Sequence, residues 1–433
     1  MIILANSPVI RISIFLLLIS YFFNLPVFFY SIKGDNELRI YDFVGLFFFF
    51  YYFFNFYLVN KSISRVVYLK SFYKLLLYCS LMLLVTLAVY IYKDRLTKFL
   101  QCVLYLYHMW VFFLGTVFTH YYLSNTKVYK KYVLLFLILV SACALIVILQ
   151  NIGIVPYLWS DVYFEDYEGF LSGTLGPNKI VLGMTMLISI CFIIGLIYTK
   201  SSKLPKLLLY VPFSLAIIAL ILSGSRTSYV AFGVFLIYFL FTYTSRFIFF
   251  SIVVGIFVMI VISFTPQIVE KIVYVIESRI TNKLSNPEEL ESFQDAGQVY
   301  EDLGSGRDRL HSSYIKFIIG RGQIIPFGQG FNNRSGVGFS AHNMYLTLIV
   351  ELGLVGLFLY FNWILSYLSI SKKKQPGVQI AANGLVFAML ISLYFGEHLY
   401  IYRPLFGLLG FYMITFVVLL YPLRNNKHDR RQR

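Results

Sequence analysis

The sequence predicts an all-α polytopic membrane protein of about twelve transmembrane helices, one integral unit over residues 1–433. Three observations predict it. Of the residues, 59% are hydrophobic and 13% charged, with mean hydropathy +0.75, where a soluble chain is about half apolar and about a quarter charged. The apolar residues come in blocks of about 18 to 25, the length that crosses a hydrocarbon core about 30 Å thick. Lys and Arg gather between those blocks, and their density alternates from one loop to the next.

The blocks place spans at roughly 9–30, 40–59, 68–92, 99–122, 131–152, 179–199, 205–223, 227–244, 246–264, 343–368, 378–396 and 402–423. The first carries no small-residue cleavage pattern and reads as a retained span. With a cytoplasmic N-terminus, the inside loops and tail hold fifteen basic residues, among them Lys61, Arg65, Lys127, Lys200 and Lys372 to Lys374. The short outside loops hold six: Lys33, Arg39, Lys93, Arg95, Lys98 and Arg226. That bias puts both termini on the cytoplasmic side of a bacterial inner membrane. The net charge of +16 reports this orientation and contact with membrane lipids, not nucleic acid. Cys79, Cys102, Cys143 and Cys191 fall inside apolar blocks without metal spacing and read as buried thiols. The Phe/Tyr-rich run at 47–57 reads as a lipid-facing or core helix.

Two outside segments stand apart. Loop 153–178 is acidic and aromatic, with Asp161, Glu165, Asp166, Glu168 and Trp159. The large outer loop, 265–341, lies between the ninth and tenth spans. In it Ile268, Val269, Ile272, Val273, Ile276 and Ile280 recur at helical spacing, predicting an amphipathic helix. A second helix is predicted from Arg307, with Leu310, Tyr314, Phe317 and Ile318 on one side. The glycine-rich stretch Gly328 to Gly338 lacks Gly-Lys-Ser/Thr and follows no predicted strand, so it is not a nucleotide loop. It reads as a mobile lid or acceptor-shaping loop.

Arg226, Arg307 and His342 share one placement: each lies at or near a predicted helix N-terminus on the outer side. The helix dipole and the free N–H groups there favour anions, so a cation gains nothing locally. An external anion such as a phosphate accounts for the arrangement. Arg403 is a candidate fourth cation, with Glu397 and His398 beside it. Glu351, nine residues past His342, falls on the opposite side of a continuous helix and about 13 Å deeper. It reads as a protonated or interhelically bonded carboxyl. His108 and His120, near the two ends of one span, read as structural.

Ser223-Gly-Ser-Arg-Thr227, Ser305-Gly-Arg307, Gly328-Gln-Gly330, the turn Gly173-Thr-Leu-Gly-Pro-Asn178 and above all His342-Asn-Met-Tyr-Leu-Thr-Leu-Ile-Val-Glu-Leu-Gly-Leu-Val-Gly356 resemble the bacterial O-antigen polymerase/O-antigen ligase family. The resemblance runs over about residues 170–400. It implies a GT-C-like membrane fold and a metal-independent glycosyl transfer, without cofactor, from a polyprenyl diphosphate-linked oligosaccharide at the outer face. Arg226 and Arg307 would hold the diphosphate and His342 would act as general base. Asn343, Tyr345, Arg321, Arg403 and Asn178 would contact substrate. A chain-length regulator and a flippase are the implied partners. Polymerase is favoured over ligase, which would transfer the glycan to lipid A-core, because the helices are Phe/Tyr/Ile-rich and the loop is modest. A lipid-linked glycan transporter is the third reading. The missing internal repeat, and basic residues at helix ends and not at mid-membrane, stand against it.

Overall fold

The structure, a computed structural model, describes residues 7–24, 26–29, 37–55, 66–92, 96–123, 126–159, 170–200, 204–252, 307–338, 340–373 and 375–429, with a few isolated positions beside them. The described elements run α1 (Pro8–Ser20), β1 (Pro26–Phe29), β2 (Glu37–Arg39), α2 (Ile40–Phe54), α3 (Val67–Tyr92), α4 (Leu96–Leu123), α5 (Thr126–Asn151), α6 (Lys179–Tyr198), α7 (Leu207–Leu222), α8 (Arg226–Thr242), α9 (Arg307–Gly320), α10 (Met344–Ser366), α11 (Pro376–Tyr394), α12 (His398–Ile401) and α13 (Pro404–Asp429). Among the described residues six helices are long and apolar enough to cross a membrane: α3, α4, α5, α6, α10 with the turn that follows it, and α11. Five shorter apolar helices accompany them, α1, α2, α7, α8 and α13.

The bundle is organised around α6. Every residue from Val181 to Ile197 is buried, so this helix is apolar all round and enclosed by its neighbours. Phe192 at its middle meets Phe136 of α5 and Phe411, Tyr412 and Phe416 of α13, with ring centroids 4.6 to 6.0 Å apart. A second aromatic stack joins α3, α10 and α13, with Phe72 on Trp363 and Phe406 at 4.5 and 5.5 Å. Outside this core, Phe47, Phe50, Phe53 and Phe54 of α2 and Leu77, Leu81 and Leu84 of α3 are exposed. Water would penalise so large an apolar belt, and lipid would not. The four cysteines are buried and free.

Three predicted spans need correction. The first ends at Ser20, not residue 30, because Asn24 and Pro26 interrupt its apolar block. There the chain turns, Thr174 donates to the Phe22 carbonyl at a short hydroxyl distance of 2.6 Å, and β1 pairs antiparallel with β2. The second ends at Phe54. The ninth is helical over 244–252, and its remainder lies outside the described residues, as does the amphipathic helix expected over 268–280. The helix expected from Arg307 is α9. Tyr314 on its predicted face is buried against Ala341 and Val350, with Phe317 and Ile318 packed alongside.

The third correction is the most consequential. The span drawn at 343–368 is two helical segments that meet at Gly353, whose φ of 67° and ψ of −169° are not helical. The bend is sharp enough for Tyr345 to stack on Phe361 at 5.2 Å, although sixteen positions of straight helix would separate them by about 24 Å. The break frees backbone groups in an apolar setting, and the chain at 325–330 satisfies them. Leu354 and Val355 donate their N–H groups to the Ile325 and Pro326 carbonyls at 2.8 and 3.3 Å. The Val350 and Glu351 carbonyls accept from Gln329 and Gly330 at 2.9 and 3.0 Å, and the Leu352 carbonyl accepts from the Tyr78 hydroxyl at 3.0 Å. Irregular backbone within such a bundle survives where protein encloses it and pairs it. The glycine-rich stretch is therefore no free lid. It is wedged between α3, α4 and α10, with Thr86 donating to the Phe331 carbonyl at 2.8 Å.

Candidate functional site

Contacts between helices bring one set of helix ends together. Gly183, in the second turn of α6, lies against Ser223, which ends α7, and Ser228, in the first turn of α8. Helix α8 runs antiparallel to α11, as the bonds from Tyr243 to Gln379 and from Asn383 to Tyr238 show, so its N-terminus lies at the C-terminal end of α11. At that same end Tyr345, in the first turn of α10, donates to the Leu390 carbonyl, and His311 in α9 meets the Tyr394 ring at 5.7 Å. The N-termini of α6, α8 and α10 and the first turns of α9 thus converge on one face, the site face.

Local capping explains how each candidate is presented. Ser225 caps α8 by accepting from the Ser228 N–H, and Gly224 before it turns at φ 60°. Arg226 is then the first helical residue, half-buried. Arg307 opens α9, and its side chain lies outside the described residues. His342 is exposed, with φ 49°, a left-handed conformation that few residues other than glycine adopt. Its N–H donates to Ser340 Oγ at 3.2 Å. Asn343 is buried and caps α10, its Oδ1 accepting from the Tyr345 and Leu346 N–H groups at 3.0 and 3.2 Å. Asn178 caps α6 in the same way, accepting from Ile180 at 2.9 Å. In both asparagines the side-chain oxygen serves its helix, leaving only the amide NH2 for a ligand. Arg321 is exposed just past α9, over the Phe317 ring at 4.8 Å. Arg403 lies over the Tyr105 ring at 3.3 Å, its buried Nε without a hydrogen-bond partner. His108 of α4 is paired with Asp42 of α2.

The strongest polar construction on this face was not legible in the sequence. Arg334, from the glycine-rich stretch, bridges two buried carboxylates, Nε to Glu351 at 2.7 Å and Nη2 to Glu397 at 2.8 Å. Glu351 also accepts from the Asn332 N–H at 2.9 Å and from the Tyr400 hydroxyl. Glu397 accepts from Ser340 and Thr347 at 2.9 and 2.6 Å. Burial works against charge on Arg334, and the two carboxylates outweigh it, holding its pKa above the ordinary arginine value. The network reaches His342, because Ser340 accepts from the His342 N–H and donates to Glu397. The interhelical bond expected at Glu351 comes from Tyr400 of α12, and its ion-pair partner, Arg334, comes from the loop between α9 and α10. Among the described residues no three of His, Cys, Asp and Glu come close enough to hold a metal ion.

His398, next to Glu397, is buried with Nε2 on Ser392 Oγ at 3.1 Å. Burial lowers its pKa to about 3, so the folded protein keeps it neutral while an unfolded chain protonates it near about 6.5. The stability from this group is present above about pH 6.5 and falls by about 1.4 kcal/mol per pH unit below it, until its folded pKa is reached. The expected result is a loss on the order of 2 kcal/mol between pH 7.5 and 5, seen as a falling Tm in lipid nanodiscs. A His398→Gln variant should show a flatter profile. Parallel profiles would contradict a buried neutral imidazole.

Residues 211–361 match the family model described as O-antigen ligase. The match runs from the first turns of α7 into the second segment of α10, and so takes in Arg226, Arg307, Arg334, His342 and Glu351. No curated protein matches the chain.

Proposed function

We propose that this helical membrane protein, which carries the O-antigen ligase family's domain in residues 211–361, is a glycosyltransferase that polymerises lipid diphosphate-linked repeat units at the outer face of the inner membrane. In this reading the chain crosses the bilayer about twelve times in a GT-C-like arrangement. Its termini are cytoplasmic, loop 265–341 is periplasmic, and a flippase and a chain-length regulator work beside it. The observation that carries the reading is the convergence of the α8 and α10 N-termini and the start of α9 on one face, with Arg226, Arg307 and His342 at those ends.

The chemistry follows from the residue types. A diphosphate leaving group gains negative charge as the glycosyl bond breaks. Two guanidinium groups beside helix N-termini, where N–H groups already point outward, would stabilise that charge. His342 would take the proton of the acceptor hydroxyl as that oxygen attacks the anomeric carbon. The glycosyl–diphosphate bond supplies the free energy, so neither nucleotide nor metal enters the scheme. The expected partner is a polyprenyl diphosphate-linked oligosaccharide. Membrane lipid surrounds the bundle, and nucleic acid has no part.

The test uses purified protein in nanodiscs with the lipid diphosphate-linked repeat unit, with and without lipid A-core. A ladder of products on the carrier lipid is expected. Transfer only to the core would make the protein a ligase. Absence of transfer would favour a transporter. In the same assay Arg226→Ala, Arg307→Ala and His342→Ala should each lower the rate by about 100-fold or more, with protein still present in the membrane. Arg307→Lys should also be impaired, because an ammonium lacks the planar fork that grips two phosphate oxygens. Full activity in all three alanine variants would remove the proposed site.

A further inference from the structure

Beside the Arg334 network lies a cavity of about 340 Å³, lined by Tyr90 of α3, Lys98 of α4, and Asn332, Arg334, Ser335 and the turn to Gly338. Its size falls in the range of small-molecule sites, about 300–1,000 Å³. The turn that forms one wall is bonded within itself. The N–H groups of Gly336, Val337 and Gly338 all close on the Arg334 carbonyl at 2.8, 3.2 and 2.8 Å, and the Ser335 N–H donates to Asn333 Oδ1 at 3.1 Å. Two edges of the Arg334 guanidinium are taken by Glu351 and Glu397, while Nη1 has no acceptor among the described residues. Lys98, exposed in the first turn of α4, has no ion-pair partner among them either.

We propose that this cavity is a saccharide subsite that holds one sugar unit of the acceptor glycan. The proposal rests on the glycosyl-transfer reading and extends it to residues outside the cationic trio. Lys98 and Arg334 Nη1 offer donors, Asn332 and Ser335 add polar side chains and Tyr90 adds a ring, a polar and aromatic wall that suits a hydroxyl-rich ring. A phosphate fits poorly, because Glu351 and Glu397 already offset the Arg334 charge. Position fits too. Glu397 joins Arg334 on one side to Ser340 on the other, and Ser340 holds the His342 N–H. Arg334, which lines the cavity, is thus linked through Glu397 and Ser340 to the backbone of the residue that would receive the acceptor's proton.

The test measures equilibrium binding of the repeat-unit oligosaccharide, freed from its carrier by mild acid and end-labelled, to the full-length protein in nanodiscs. Saturable binding is expected, weakened at least tenfold by Lys98→Ala and by Ser335→Trp. The Lys98→Ala change is at an exposed residue and keeps the test valid should the tryptophan variant not fold. Competition by inorganic phosphate at the concentration of the oligosaccharide, or binding equal to wild type in both variants, overturns the subsite. The two readings separate cleanly. Binding lost in the variants while the wild type transfers nothing keeps the subsite and rejects polymerisation, and transfer with binding untouched does the reverse.

Discussion

Gly353→Ala is expected to prevent the protein from reaching its folded state. At φ 67° and ψ −169° the position lies in a region open essentially to glycine alone, where other residues pay about 1–3 kcal/mol. A Cβ added there would also meet the Phe327 nitrogen and the Pro326 oxygen at 2.4 Å. Those are backbone atoms of the segment that pairs with the broken helix, so relief by moving them breaks the bonds to Leu354 and Val355. Strain and lost hydrogen bonds add, and the sum exceeds about 3 kcal/mol, a large share of a typical folding free energy. Gly233→Ala is the matched control. It lies within α8, has nothing within 4 Å of the new carbon, and should gain up to about 1 kcal/mol of helix propensity. Membrane yield and Tm in detergent measure both. A Gly353→Ala protein that melts with the wild type would mean that α10 does not break at this residue.

That break marks where sequence reasoning ran out. Helices α3, α4, α5, α6 and α11 were legible because apolar length alone defines a membrane helix. The α9 face was legible because Tyr314, Phe317 and Ile318 recur at helical spacing. The caps at Asn178 and Asn343 obey a local rule, a short polar side chain before an apolar run satisfying the first N–H groups, yet the sequence reading gives both residues to substrate. Gly353 gave no such signal: the residues on either side keep the length and hydropathy of one continuous span. The chain at 325–330 and Tyr78 of α3 supply the groups that let the helix stop. Arg334 was hidden for the same reason. A glycine-rich stretch reads as mobile, and nothing in its own sequence tells that two carboxylates on other elements hold it. The one clue was Glu351, a carboxylate inside an apolar block, which requires a partner that only folding identifies.

Removing that partner is the second large effect. Arg334→Ala would leave Glu351, with no exposed surface, and Glu397 facing each other without the cation between them. Breaking a buried ion pair from one side costs about 3–5 kcal/mol, because the remaining charge stays desolvated, and here two remain. Arg334→Lys should recover only part of the loss. An ammonium is a point charge and cannot place one nitrogen on Glu351 and another on Glu397 in the plane that Nε and Nη2 provide. The informative comparison is the triple variant Arg334→Met, Glu351→Gln, Glu397→Gln. It discards the charges together and leaves amides that still accept from Tyr400, Ser340 and Thr347. It should therefore be more stable than Arg334→Ala alone, although it carries more changes. Thermal unfolding in nanodiscs ranks the three. If Arg334→Ala were the most stable of them, the carboxylates would not depend on the arginine, and the ordering of the 332–340 segment around His342 would need another source.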